Sequence, residues 1–295
     1  MSVNKNSYVP LPNESAPPPY QEEDPAPNLY NVPDDFKWST NVSACEPLVR
    51  QQFLHRVYSI LSTQLLATLS MGYLTYKWEP LREFTNSNTW LVILASIGSI
   101  LTCIWLAFAP SVDDYVPEDE ANYTGETETN NELRPAKAPW YYLSKRGQYA
   151  VLSVFTICEA YSLSTITLAY DPQIILSAVL ITTVVIVGVS LVALSERFQF
   201  LTESATTIYF WLNWGLLLLF GMVLTGVFFG FSSKMNIFYA WFGAALFTIY
   251  LLMDTQMIFR KVRPDEEVKC AMILYVDIIN LFLHILRILS SRENE

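Results

Sequence analysis

The chain has 295 residues, of which 52% are apolar and 14% aromatic but only 16% charged, a balance unlike that of an average soluble domain. Fifteen of its 28 acidic residues fall in 1–49 and 110–146 (seven and eight), so the net charge of −10 belongs mostly to one tail and one loop. Without clustered Lys and Arg the chain is excluded as a nucleic-acid binder, and the nearly uncharged stretches between Trp90 and Arg260 exclude a soluble helical domain, whose surface helices need a charged face.

In chain order, residues 1–45 read as a disordered, acidic, proline-rich cytosolic tail. The first fifty residues lack the basic start and apolar run of a signal peptide. The tail contains Pro17-Pro18-Pro19-Tyr20, a P-P-x-Y motif. Proline pre-sets the polyproline II conformation that WW domains grip, so Pro17, Pro18 and Tyr20 form a candidate WW-domain ligand. A WW-bearing ubiquitin ligase is the partner this implies.

Residues 46–290 read as an all-α membrane domain of seven transmembrane helices. The expected spans are Val57–Tyr76, Trp90–Ala109, Gln148–Leu168, Ile174–Leu194, Ile208–Phe229, Ile237–Phe259 and Ala271–Leu289. Residues 110–146 form an acidic cytosolic loop, Pro172 stops the helix between the third and fourth spans, and 291–295 are a short non-cytosolic tail. In the fifth span, Gly226 and Gly230 make a G-x-x-x-G that suits close packing within the bundle. Cys45, Cys103, Cys158 and Cys270 are spaced neither as a disulfide framework nor as a zinc site.

Orientation follows from the basic residues. With the N-terminus in the cytosol, 13 of the 18 Lys and Arg lie on that side, and the turn between the third and fourth spans has none. The same orientation argues against a G-protein-coupled receptor.

Three spans carry acids. Asp254, near the cytosolic end of the sixth span, and Asp277, near the cytosolic start of the seventh, both come out roughly 8–9 Å inside the same boundary. Two carboxyls in contact at low dielectric share a proton rather than both ionise. Such a pair suits a proton-sensitive switch or an oxygen site for Ca²⁺, and the alternative is a structural contact between helices. Asp277, Asn280, His284 and Arg287 are spaced i, i+3, i+7, i+10, within about 80° of one face. That stripe places the seventh helix in the centre of the bundle, with His284 as a hydrogen-bonding spacer and Arg287 snorkelling to the outer interface. Glu159, in the third span, either lines the same cavity or makes an inter-helix hydrogen bond.

The segments Leu252-Met253-Asp254-Thr255-Gln256, Pro264-Asp265-Glu266-Glu267 and Leu274-Tyr275-Val276-Asp277-Ile278-Ile279-Asn280-Leu281-Phe282 are specific. With Arg56-Val57-Tyr58 and Ala193-Leu194-Ser195-Glu196-Arg197-Phe198, they make residues 45–290 resemble a fungal member of the Bax-inhibitor (lifeguard) family. The resemblance implies a pH-gated calcium leak from an internal store, with Asp254 and Asp277 as the sensor and calcium site, and protection against stress-induced cell death. It implies no enzyme activity and no cofactor, and a home in the endoplasmic reticulum, Golgi or vacuole. One departure stands out: the second-span arginine that latches the sixth-helix aspartate in bacterial relatives has no counterpart in Trp90–Ala109.

Two other functions compete. Presenilin-type proteases also use two membrane aspartates, but with Tyr-Asp, Gly-x-Gly-Asp and Pro-Ala-Leu motifs; here Asp254 follows Met253, Asp277 follows Val276, and Pro-Ala-Leu is absent. A non-conducting regulator of cell death that acts by protein–protein binding fits the sequence as well.

Overall fold

Backbone crossing hydrocarbon must satisfy its own hydrogen bonds, which favours helices. The computed structural model describes residues 47–110, 142–195, 204–260, 262 and 266–293, and its regular elements there are nine helices. The P-P-x-Y motif, most of the acidic loop and Pro264-Asp265 lie outside the described residues.

The helices are α1 (Pro47–Lys77), α2 (Glu79–Ser87), α3 (Thr89–Phe108), α4 (Lys145–Ser164), α5 (Ile166–Ala169), α6 (Pro172–Leu194), α7 (Ala205–Phe229), α8 (Ser233–Arg260) and α9 (Glu267–Glu293). Local chemistry sets several ends. Ser144 caps α4, its side chain accepting from Gly147 N–H. Asp171 caps α6 by accepting from Gln173 N–H, with Pro172 in the first turn, as the expected turn requires. Ser232 Oγ accepts from Met235 N–H at the start of α8. Helix α2 was not foreseen; at nine residues it is too short to stand out as a periodic pattern.

Among the described residues, six helices are long and apolar enough to cross a membrane: α3, α4 continued through α5, α6, α7, α8 and α9. The difference from the expected seven lies in α1. At 31 residues it is long enough, but Ser62, Thr63, Gln64, Thr68 and Ser70 dilute its apolar character. Two of them, Gln64 and Thr68, serve packing instead. Gln64 is buried and donates to Thr156 Oγ1 of α4 at 3.0 Å, and Thr68 Oγ1 pairs with Tyr275 OH of α9 at 2.8 Å.

Burial grades across the bundle. Only 11% of the apolar window of α3 and 17% of those of α6 and α7 are buried, against 39% in α8 and 56% in α9. The outer helices therefore present Leu, Ile, Val and aromatic side chains to lipid. Helix α9 packs on α1, α3, α4, α6 and α8, and Tyr275, its largest fully buried side chain, stands edge-on to Phe155 at 5.6 Å.

The two glycines of α7 terminate the helix rather than pack it against a neighbour, which corrects the G-x-x-x-G expectation. Gly230 sits at φ +77°, the left-handed position that ends helices, and a Cβ on Gly226 would overlap the Phe231 ring as the chain folds back. Gly230→Ala is expected to cost about 1 kcal/mol, read as a lowered melting temperature in detergent. An unchanged melting temperature would show that this turn is not held left-handed.

Candidate functional site

The α8–α9 hairpin brings the two membrane aspartates together. Asp254 lies six residues before the end of α8, and Asp277 ten residues after the start of α9. Measured from the helix ends these are about 9 and 15 Å, an unequal pair, although helix ends do not mark the membrane boundary. The reason is that α9 begins earlier than its apolar run, with Glu267 already buried among its neighbours. The carboxyls come within reach of a hydrogen bond to each other. Because carboxylates only accept, that bond requires a proton on one of them.

The pair is built into a larger polar cluster. Tyr209 OH, in the first turns of α7, donates to Asp254 Oδ1 at 2.5 Å. Tyr250 OH, one turn before Asp254 on α8, donates to Asn213 Oδ1 at 3.0 Å. Tyr209 and Asn213 on α7 thus face Tyr250 and Asp254 on α8, each pair spaced i, i+4, the spacing that puts two side chains on one helix face. Asp277 is only 6% exposed, and its Oδ2 has no hydrogen-bond partner among the described residues. Sequence reading missed Tyr209, Asn213 and Tyr250; their signal was the paired i, i+4 polar spacing within otherwise apolar spans. Tyr209→Phe is expected to destabilise the fold by about 1.5–3 kcal/mol, the range for a hydrogen bond to a charged group. Thermal unfolding of the purified variant measures it, and no loss of stability would rule out Tyr209 as a holder of Asp254.

Among the described residues no group of three or more His, Cys, Asp or Glu is placed to hold a metal. Any cation at the pair would therefore complete its shell with neutral oxygens or water.

The remaining stripe residues go different ways. His284 is 5% exposed, stacked near Phe247 at 5.6 Å and Tyr239 at 4.9 Å, with Gly243 directly beneath it. It has no hydrogen bond to the described residues, so it is an aromatic packing element and not the expected hydrogen-bonding spacer. Arg287 does not simply snorkel: its guanidinium lies 4.8 Å from the Tyr239 ring centre and 5.8 Å from that of Phe231. Asn280 Nδ2 donates to Val276 O at 2.9 Å. Asn280 borders a cavity of about 640 Å³ with Asn213, Tyr239 and His284, and also a smaller one of about 220 Å³ with Glu159. Glu159 thus lies apart from the aspartates and makes no inter-helix hydrogen bond to the described residues. Cys103, Cys158 and Cys270 are free.

Residues 134–294 match the family model described as inhibitor of apoptosis-promoting Bax1. The chain is 50% identical to Bax inhibitor 1 of Saccharomyces cerevisiae, over 95% of this chain and 98% of that one. It is 28% identical to mouse protein lifeguard 4, over 92% and 98% of the two chains. It is also 26% identical to the Golgi anti-apoptotic protein of vaccinia virus, over 88% and 94%. Identity of this extent, over nearly the whole length of both chains, joined to a multi-pass helical bundle, shows that the chain belongs to the Bax-inhibitor family of membrane proteins.

Proposed function

We propose that this protein is a pH-sensitive calcium leak of an internal membrane, with Asp254 and Asp277 as its proton sensor and calcium site, and that it restrains cell death by setting stored calcium. The observation that carries the reading is the hydrogen-bonded carboxyl pair inside the α8–α9 hairpin. With one proton the pair bears a single negative charge and ties the two helices together. Without it, two carboxylates in contact repel and must separate or take up a divalent cation. Either response links a proton to ion passage.

In this reading α1 is a further crossing, which makes seven, and α9 stands at the middle of the bundle. The N-terminus is cytosolic, because that arrangement puts most Lys and Arg on the cytosolic side. The membrane is that of the endoplasmic reticulum, Golgi or vacuole, and a relative named a Golgi anti-apoptotic protein supports an internal location. The P-P-x-Y tail recruits a WW-domain ubiquitin ligase.

The test is calcium efflux from proteoliposomes holding the purified full chain, followed across a pH series from about 5 to 8. Efflux that varies with pH is expected. No efflux above empty liposomes at any pH would sink the proposal. A second reading, a non-conducting regulator, is favoured by the relatives' names, which speak of cell death and not of ions. It requires that protection against cell death survive in an Asp254→Asn/Asp277→Asn double variant that no longer conducts.

A further inference from the structure

The cavity beside Glu159 is chemically one-sided. It lies between α3, α4 and α9, measures about 220 Å³, and its polar lining consists of Ser99, Cys103, Glu159, Tyr275 and Asn280. No Lys, Arg or His borders it. Most of its hydrogen-bond donors are committed elsewhere, the exceptions being the second N–H of Asn280 and the weak donor of the free Cys103 thiol. Ser99 Oγ donates to Ser96 O at 3.0 Å, Asn280 Nδ2 to Val276 O at 2.9 Å, and Tyr275 OH is paired with Thr68 Oγ1 at 2.8 Å. What it chiefly offers an occupant is acceptor oxygen: the Glu159 carboxylate, Asn280 Oδ1 and the lone pairs of Ser99 Oγ.

Glu159 itself is half-buried at the fifteenth position of a 20-residue helix, with no hydrogen bond or ion pair to any described residue. An ionised carboxylate at membrane depth is held by a partner or a wet cavity. No described residue partners it, which leaves the cavity to supply the countercharge whenever the carboxyl is ionised. At about 30 Å³ of liquid volume per water, the space takes a cation with several of its waters. Hard cations bind through carboxylate, amide and hydroxyl oxygens together with water. A single carboxylate makes this a weak site that exchanges its ion readily, in keeping with the lack of a three-ligand His, Cys, Asp or Glu cluster among the described residues.

We propose that Glu159, Asn280 and Ser99 form a second, mid-membrane binding site for a partly hydrated hard cation, Ca²⁺ among them, separate from the aspartate pair. The two sites are linked in space. Asn280 is three residues beyond Asp277 on α9, about 4.5 Å along the axis, and it borders the larger cavity that holds Asn213 and His284. The site does not depend on the aspartates gating flux, since what it claims is occupancy.

The test uses the unmodified full chain in detergent. Dicyclohexylcarbodiimide, an apolar reagent for protonated carboxyl groups, is applied with and without millimolar Ca²⁺, and adducts are located by peptide mass spectrometry. Glu159 is expected to be labelled without calcium and protected about tenfold or more by it. That protection is expected to persist in the Asp254→Asn/Asp277→Asn variant and to weaken in Asn280→Leu. No Ca²⁺ protection at Glu159 in the unmodified chain would overturn the proposal, as would protection that vanishes with the two aspartates. If the flux reading fails while Glu159 remains protected, the site stands without the leak.

Discussion

Asparagine at position 277 is expected to flatten the pH dependence of calcium efflux without unfolding the protein. Asparagine is nearly isosteric with aspartate and donates through its N–H₂, so it can keep the contact with Asp254 that a shared proton makes in the native pair. What it removes is the second ionisation. In the native pair, loss of the shared proton at higher pH leaves two carboxylates in contact, which favours separation of α8 from α9 or entry of a cation. Efflux should therefore rise with pH. A coupling of 1–3 kcal/mol, the usual size for linked sites, corresponds to roughly 5–150-fold. The native protein should thus show at least about a fivefold rise between about pH 5 and 8, and Asp277→Asn less than about twofold. Proteoliposome efflux measures both, with Asp254→Asn as the companion. A variant with the native pH profile would remove the aspartates from the sensor.

Gly243→Ala is expected to be among the most damaging single changes in α8. A Cβ at that position would run into the imidazole of His284. The ring is held at 5% exposure between Tyr239 and Phe247 and can retreat only toward the larger cavity, giving up that packing. Overpacking of this kind costs about 1–3 kcal/mol. With about 2–4 °C per kcal/mol for a chain of roughly this size, the melting temperature should fall by several degrees. The cause is separable by a double-mutant cycle. In a His284→Ala background the added methyl should cost less than about 0.5 kcal/mol, because the atom it strikes is gone. Equal losses in both backgrounds would mean that the glycine serves some other contact.

Family and architecture were legible from the sequence because they rest on composition and local spacing. Long apolar runs between polar segments define membrane helices whatever their partners, and Pro172 after Asp171 announces a helix start by itself. The motifs around Asp254 and Asp277 carried the family, and the short hairpin loop predicted that the two aspartates would be neighbours. The first span shows where composition alone falls short. Two of the polar residues that dilute α1, Gln64 and Thr68, are those it uses to grip α4 and α9, a role visible only once the partners are in place.

Tertiary structure alone decided which groups answer the buried acids. Nothing in the one-dimensional pattern tied Tyr209, 45 residues away, to Asp254, or set Asn280 between two cavities while leaving Glu159 without a hydrogen-bond partner among the described residues. Hydrogen bonds between helices depend on crossing angle and rotation, which the shape of the whole packed interface sets, not the identity of any one residue. The sequence alone determined that this protein crosses a membrane carrying acids it cannot leave uncompensated. The packing determined that two of them lie side by side, and that a third borders a cavity with Asn280 and Ser99.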